Sequence, residues 1–274
     1  MNISGAVTMW KLNNRRGVKY YTISSFEETG IVRHGFSTRE GGVSEGCYAS
    51  MNLRFHCDDT RENVLKNYEI IANTLGMDVS RLVLSKQVHE DIIHTATEPD
   101  CGNGITRENR FTSVDALITD KPNIPLVTLY ADCTPVFFLD RVKKVIALAH
   151  SGWRGTVQRI SAKVIEKMKT GYGSDPKDIL TAIGPSIQLD SFEVGDEVAE
   201  IFIKEFGAET AVKYGEKYHV SMQKAIKLQL IEAGVAADNI DDCGIDTYTH
   251  SDFLFSHRKT NGRRGNMGAF LELI

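Results

Sequence analysis

The chain lacks the cysteine pattern of a disulfide-stabilised or zinc-ribbon protein. Its five cysteines are an odd number, widely scattered, and include no Cys-x-x-Cys pair. A disulfide framework is therefore excluded, and reduced thiols are expected. Proline is scarce, with six residues, whereas 42% of the 274 residues are hydrophobic. This supply of apolar residues is enough for a sizeable core, and we predict one domain over residues 1–274.

Long apolar runs and an excess of positive charge are also missing. No run approaches the roughly 20 apolar residues that span a bilayer, and the N-terminus lacks the apolar segment of a signal peptide. A net charge of -4 and an isoelectric point near 6.1 give no long-range attraction to nucleic acid or to an anionic membrane. We therefore expect a cytoplasmic protein with small-molecule partners and no nucleic-acid or membrane partner.

The most informative stretch of the sequence is residues 131–155. Two apolar runs, 136–139 and 145–149, flank a charged turn, a pattern typical of a β-hairpin. Because a hairpin returns its ends to one place, we expect Cys133 and His150 to face a common site. Such a pair is typical of a zinc site, of a nucleophile with its base, or of a buried cysteine beside a structural histidine.

Other segments predict alternating strands and helices around this hairpin. Helices are predicted for residues 59–75, 194–206 and 222–233, and strands for 18–23, 82–90, 179–183 and 269–274. The strand 82–90 would place His89 at the same kind of edge as the hairpin ends. A further helix is predicted to begin just beyond Arg154, so that its N-terminal amides face the site and favour an anion such as phosphate. The alternation predicts a single α/β domain with mixed central sheets and helices outside.

Six motifs occur in a fixed order along nearly the whole chain. They are His-Gly-Phe-Ser-Thr-Arg at 34–39, Gln-Val-His at 87–89, Ala-Asp-Cys-Thr-Pro at 131–135, Ala-His-Ser-Gly-Trp-Arg-Gly at 149–155, Ala-Ile-Gly-Pro at 182–185 and Ser-His-Arg at 256–258. Together they resemble the purine nucleoside phosphorylase family that was formerly called polyphenol oxidase or laccase-domain proteins. The resemblance implies an α/β/β/α layering. One departure is Asn266, because the family pattern has an arginine at this position.

The resemblance also implies one Zn²⁺ per chain, held by His89, Cys133 and His150. Family members cleave adenosine, inosine, guanosine and methylthioadenosine with inorganic phosphate as co-substrate, and they deaminate adenosine. Three protein ligands leave a fourth zinc position open, which is the pattern of catalytic sites, and a water bound there has a pKa near 7 and can attack a purine C6. Deamination also needs a proton shuttle. Asp132 is the candidate, and the alternative is that its carboxylate only makes supporting hydrogen bonds.

Arginines are the predicted phosphate ligands. Arg39, Arg154 and Arg258 lie within the motifs, and a planar guanidinium binds phosphate through two parallel hydrogen bonds. The alternative for Arg154 is an ion pair with a carboxylate under the hairpin. The basic segment around Arg258 could equally be a solvated loop.

Three other functions are alternatives to a zinc-dependent phosphorylase. Multicopper oxidation of phenols uses about ten imidazoles in paired His-x-His motifs, whereas this chain has eight histidines and no such pair. A cysteine hydrolase or deamidase would use Cys133 as nucleophile and His150 as base, but it would not need His89. A non-enzymatic zinc-binding protein would be expected to supply a fourth ligand, and the sequence offers none that is convincing.

Overall fold

The computed structural model describes residues 9–274, so that residues 1–8 of the predicted domain lie outside the described part. The strands are β1 (Trp10–Arg15), β2 (Val18–Ile23), β3 (Val32–Ser37), β4 (Val83–Leu84), β5 (Ile93–Thr95), β6 (Ala116–Thr119), β7 (Leu126–Tyr130), β8 (Thr134–Asp140), β9 (Val145–Ser151), β10 (Ile179–Ile183), β11 (Glu193–Val194), β12 (Ala211–Tyr214), β13 (Lys217–Val220), β14 (Ile240–Asp242) and β15 (Met267–Leu273). The α-helices are α1 (Ser24–Glu27), α2 (Arg61–Leu75), α3 (Trp153–Val157), α4 (Ile160–Tyr172), α5 (Asp196–Phe206), α6 (Met222–Glu232) and α7 (His257–Thr260).

The strands form two six-stranded mixed sheets and one small antiparallel sheet. The first sheet has the order β1-β2-β3-β15-β7-β4, and the second has the order β14-β10-β8-β9-β6-β5. The small sheet has the order β11-β13-β12. Strand β15, close to the C-terminus, lies inside the first sheet between β3 and β7.

Alternating side chains of β8 show how the layers are held together. Phe137 packs in the core between the two large sheets, whereas its neighbour Phe138 packs on the opposite face against helices α4 to α6. Helix α2 covers the outer face of the first sheet through Tyr68 and Ile71. Because successive strand residues point to opposite faces, an apolar run such as 136–139 fits a sheet that is covered on both sides. The order of layers is α/β/β/α, which confirms the predicted fold class.

The predicted hairpin is present and is longer than the sequence indicated. Strands β8 and β9 pair antiparallel, with Pro135 opposite His150, and the turn between them is closed by the Asp140 carboxylate. Its Oδ1 accepts hydrogen bonds from the backbone N–H groups of Val142 and Lys143, both at 2.8 Å. The open end of the hairpin therefore brings Cys133 next to His150.

The predicted strand 82–90 is mostly wrong. Only Val83–Leu84 is a strand, and the chain then leaves the first sheet and crosses to β5 in the second sheet. The predicted partner segment does not return to β4, because β5 pairs parallel with β6. His89 lies in this crossing segment with a left-handed φ of 66°, so it occupies a loop rather than a strand end.

The helix predicted to start beyond Arg154 is two helices. Helix α3 begins at Trp153 and is only five residues long, and α4 follows after a break at Arg159, whose φ is 62°. The guanidinium of Arg159 pairs with Glu205 and Glu232, which holds the break in place. Because the helix dipole is the sum of aligned peptide dipoles, the five-residue α3 has a smaller dipole than the single longer helix that was predicted. Among residues 9–274, no helix combines the length and apolar composition needed to cross a membrane.

Candidate metal centre and active-site cavity

Three potential metal ligands meet at the edge of the interface between the two large sheets. His89 comes from the crossing segment, Cys133 from the residue before β8 and His150 from β9, and their ligand atoms all lie within 4.8 Å of one another. The two imidazole rings stand nearly perpendicular, with centroids 5.0 Å apart. His150 is buried and His89 is exposed, so the cluster faces outward on one side. The structure thus brings together the three residues that the sequence nominated.

Gly152 provides room beside this cluster. A Cβ atom at this position would lie 2.9 Å from Cδ2 of His89, 3.3 Å from Sγ of Cys133 and 3.6 Å from Cε1 of His150. The three side chains therefore surround a space that even a methyl group would crowd. One thiolate and two imidazoles are a donor set suited to zinc, with one position left for water or substrate. The residues present fit the metal that the sequence predicted.

The titrating groups of the cluster form a coupled pair. Burial alone would raise the pKa of the Cys133 thiol, but the charge and hydrogen bonds of the neighbouring His150 and His89 outweigh burial and lower it. Burial likewise opposes protonation of His150, yet the thiolate and the carboxylate of Asp115 raise the pKa of its imidazole. The site therefore favours the thiolate form of Cys133, which is the form that binds metals.

Asp115 is a buried carboxylate directly behind the cluster, and the sequence analysis overlooked it. Its Oδ1 lies 2.8 Å from Nδ1 of His150, and its two oxygens also accept hydrogen bonds from the backbone N–H groups of Val88, His89 and Glu90 at 3.0 to 3.1 Å. Although burial would raise the pKa of Asp115, these contacts, led by His150, lower it. The only signal in the sequence was an acidic residue at the entrance of an apolar strand.

The cluster opens into a large cavity. Its volume is about 700 Å³, within the range of small-molecule sites. Its wall combines the three candidate ligands with apolar side chains, such as Phe55 and Phe192, and with an unusually large group of cations. The cationic and imidazole side chains on the wall are Arg54, His56, Lys86, Arg154, His257, Arg258 and Arg264.

Asp132 lies on the cavity wall with both carboxylate oxygens engaged. Oδ1 accepts a hydrogen bond from the hydroxyl of Thr247 at 2.7 Å, and Oδ2 accepts one from the backbone N–H of Arg258 at 2.6 Å. Its φ of 86° is a left-handed conformation that costs energy for a residue other than glycine. Asp132 therefore connects the start of β8 to the segment that carries Arg258, and it faces the cavity next to Cys133.

The structure separates the three predicted phosphate ligands. Arg154 and Arg258 line the cavity, but Arg39 is not among the lining residues. The guanidinium of Arg39 instead donates hydrogen bonds to the backbone carbonyls of Ala49 and Ser251 at 2.9 and 2.8 Å. Its role as a phosphate ligand stays a prediction, and in the structure these two carbonyls engage Nε and Nη1 of its guanidinium.

Arg154 and Arg258 differ in the contacts that hold their guanidinium groups. Within residues 9–274, the Arg154 side chain makes no ion pair or hydrogen bond, and its guanidinium lies over the ring of Trp153, 4.4 Å from the centroid. The predicted alternative, an ion pair under the hairpin, is absent from this part of the chain. The guanidinium of Arg258 donates to the backbone carbonyl of Glu193 at 2.8 Å and lies over Phe192.

Arg264, Arg54 and His257 are cavity residues that the sequence analysis did not assign to the site. Nη2 of Arg264 lies 3.2 Å from Nδ1 of His257, and its Nη1 donates to the side-chain oxygen of Asn266. Its Nε is buried without a hydrogen-bond partner among the described residues. Burial and the nearby Arg54 lower the pKa of Arg264, and burial and Arg264 lower that of His257. Arginine side chains held this close to one another in a cavity are typical of an anion site.

The chain is similar to a known family, to named relatives and to solved structures. The profile of the family described as multi-copper polyphenol oxidoreductase laccase matches residues 33–274. The purine nucleoside phosphorylase YlmD of Bacillus subtilis strain 168 is 32% identical over 241 residues, which cover 86% of this chain and 87% of the relative. A purine nucleoside phosphorylase of Deinococcus radiodurans is 34% identical over 243 residues, covering 88% and 89%. The crystal structure of YlmD from Geobacillus stearothermophilus superposes with a TM-score of 0.89 at 30% identity, covering 97% of this chain and 99% of that one.

Proposed function

The chain belongs to the family described as multi-copper polyphenol oxidoreductase laccase, and we propose that it is a cytoplasmic, zinc-dependent purine nucleoside phosphorylase with adenosine deaminase activity. Two relatives of high coverage carry the name purine nucleoside phosphorylase. The observation that carries the proposal is the shared cavity, in which a His-Cys-His cluster faces a group of arginines. The proposed substrates are adenosine, inosine, guanosine and methylthioadenosine, with inorganic phosphate as the second substrate.

Phosphorolysis needs an anion held next to the glycosidic bond and a stabilised leaving base. We propose that Arg264, Arg54 and His257 bind the phosphate, because they already lie together in the cavity with unused donors. Arg154 and Arg258 would close the site, and the unpaired guanidinium of Arg154 is free to move onto the anion. Arg264 stands two residues before Asn266, so it can supply a cation where the family pattern has an arginine at 266.

Deamination at the same site needs activated water and a proton carrier. When zinc is bound to His89, Cys133 and His150, it supplies the Lewis acid that activates water for attack at C6 of adenosine. We propose Asp132 as the proton carrier, because its carboxylate faces the cavity and is fixed by two hydrogen bonds. If those hydrogen bonds were its whole role, Asp132→Asn would lose stability without a selective loss of deamination.

Zinc is favoured over several copper ions by the donors that the cavity offers. Within residues 9–274, the only group of three or more metal-type side chains whose ligand atoms converge is His89, Cys133 and His150. Multicopper oxidation uses far more imidazoles. One thiolate and two imidazoles also bind the copper of electron-transfer proteins, but those sites are enclosed, whereas this one opens into a cavity of about 700 Å³. Elemental analysis of protein purified without added metal separates the two metals.

A cysteine hydrolase is the second candidate, and one observation favours it. Cys133, His150 and Asp115 form a chain of hydrogen-bonding groups like that of a nucleophile, a base and an orienting carboxylate. The position of His89 favours the metal site, because it supplies a third potential ligand that a nucleophile and its base do not require. Chelation decides between the two: it would abolish a zinc-dependent phosphorylase and would leave or increase the activity of a cysteine hydrolase.

Omitting phosphate tests the proposal, because phosphate is a substrate of only one of the two reactions. With adenosine as substrate, the zinc-loaded protein should still form inosine without phosphate, while release of free base should stop. Release of base at an unchanged rate without phosphate would identify the protein as a nucleoside hydrolase instead.

A further inference from the structure

We propose that Asp115, which is not itself a ligand, positions both histidines of the metal centre. The inference rests on the metal site of the proposed function and adds a residue to it. Asp115 is fully buried, at the entrance of β6. Each of its carboxylate oxygens accepts two hydrogen bonds. One of the four comes from the imidazole of His150, and the other three come from backbone N–H groups of the crossing segment.

The contact with His150 fixes which ring nitrogen faces the metal. Oδ1 of Asp115 lies 2.8 Å from Nδ1 of His150, and an ionised carboxylate can only accept a hydrogen bond. Nδ1 must therefore carry a proton and donate it, which leaves the lone pair of Nε2 available for a metal. The backbone reinforces this arrangement, because the N–H of His150 donates to the carbonyl oxygen of Asp115 at 2.8 Å. Carboxylate, histidine and metal in a row are a common arrangement in zinc proteins.

The contacts with the crossing segment fix the position of His89. No strand or helix holds residues 85–92, and His89 has a left-handed φ of 66°. The N–H groups of Val88, His89 and Glu90 nevertheless converge on the Asp115 carboxylate at 3.0 to 3.1 Å. A charged acceptor that receives three backbone hydrogen bonds can hold a strained loop in place. The backbone N–H of Asp115 also donates to Ile92 O at the end of the same segment, at 3.0 Å.

Asp115→Asn is the variant that tests this role. An amide has the shape of the carboxylate but has one oxygen, so it cannot serve His150 and all three loop amides together. We expect the affinity for Zn²⁺, measured by competition with a chelator, to fall about 10- to 100-fold. We also expect the thiolate charge-transfer band of the Co²⁺-loaded protein to weaken or shift, because the histidine ligands are displaced.

Asp140→Asn is the matched control. Asp140 is a buried aspartate at the far end of β8, where it accepts backbone hydrogen bonds from Val142 and Lys143 and touches no ligand. This variant should bind Zn²⁺ and Co²⁺ like the parent protein. Unchanged zinc affinity in Asp115→Asn, or an equal loss in both variants, would overturn the positioning role. Failure of the parent protein to bind zinc would instead overturn the proposed function.

If Asp115→Asn does not fold, the role of Asp115 can be tested by NMR on the parent protein. In the zinc-loaded protein, nitrogen-15 NMR should find a slowly exchanging proton on Nδ1 of His150 and none on Nε2. The signal is assigned by its loss in His150→Gln. A proton on Nε2, with Nδ1 bound to the metal, would contradict the role of Asp115.

Discussion

Replacing Gly152 by alanine should weaken metal binding at least about 10-fold while leaving the fold intact. Gly152 has φ −71° and ψ 169°, a conformation that alanine adopts without strain. It precedes helix α3, where alanine is less favourable than glycine by about 1 kcal/mol, a small part of the roughly 5–15 kcal/mol that stabilises a folded domain. The variant therefore tests the space beside the cluster rather than the backbone.

The structure gives the size of the effect. The added methyl carbon would lie 2.9 Å from Cδ2 of His89, whereas ordinary contacts of such atoms begin at 3.4 Å, so His89 must move by about 0.5 Å. His89 is exposed and lies on a loop, so it can move without disturbing the core. Zinc ligands tolerate displacements of about 0.2 Å, and the methyl group also lies 3.3 Å from Sγ of Cys133. We expect zinc affinity to fall at least 10-fold.

The assay is zinc affinity by chelator competition, read beside a thermal melt of the metal-free protein. Gly171→Ala is the control, because Gly171 lies in helix α4 with nothing within 4 Å of an added Cβ. That substitution should bind zinc normally and should raise the melting temperature, since alanine in a helix is about 1 kcal/mol better than glycine. Parental zinc affinity in a folded Gly152→Ala variant would refute the proposed geometry of the site.

Three further predictions concern the ligands, the arginines and pH. Cys133→Ser should bind little or no zinc, since a neutral hydroxyl replaces a thiolate; full zinc occupancy, by elemental analysis, would remove Cys133 from the site. Arg264→Ala and Arg154→Ala should each raise the phosphate concentration needed for inosine cleavage about 10- to 100-fold, the equivalent of about 1.5 to 3 kcal/mol. Both variants should affect adenosine deamination much less. Steady-state kinetics at varied phosphate would contradict this prediction if a folded variant kept the phosphate dependence of the parent protein. Burial lowers the pKa of His34 to about 4, so that below pH 6.5 the unfolded chain binds a proton that the folded chain does not bind. About 3 kcal/mol of stability should therefore be lost as the pH falls from 6.5 to 4. Urea unfolding should show a flatter pH dependence for His34→Gln, and equal slopes for both proteins would show that His34 is not the cause.

The central hairpin could be predicted because its information is local. The runs around residues 136–139 and 145–149 specify two strands and a turn, and a short turn leaves few ways to pair the two strands. Cys133 and His150 were therefore placed together correctly from sequence. Assigning His89 to the same site required the family motif, because it lies in a loop that crosses between sheets and no local pattern places that loop.

The residues that were missed act through contacts between distant parts of the chain. Asp115 holds three loop amides and a histidine 35 positions away, and a sequence pattern does not record such contacts. Arg264 belongs to a basic segment that also fits a solvated surface loop, and only the fold shows that it turns into the cavity. Arg39 was assigned to phosphate because it lies in a motif, and a motif does not show that its Nε and Nη1 donate to backbone carbonyls. The helix break at Arg159 was hidden because apolar spacing continues through it.

The fate of phosphate during inosine cleavage shows most directly whether the protein is a phosphorylase. Purified protein of known zinc content is incubated with inosine and labelled phosphate, and hypoxanthine and ribose 1-phosphate are quantified. A zinc-dependent phosphorylase should form the two products in equal amounts and only when phosphate is present. Its activity should be lost after chelation and recovered on adding Zn²⁺. Release of free ribose, or no cleavage by protein that carries one zinc per chain, would contradict this assignment.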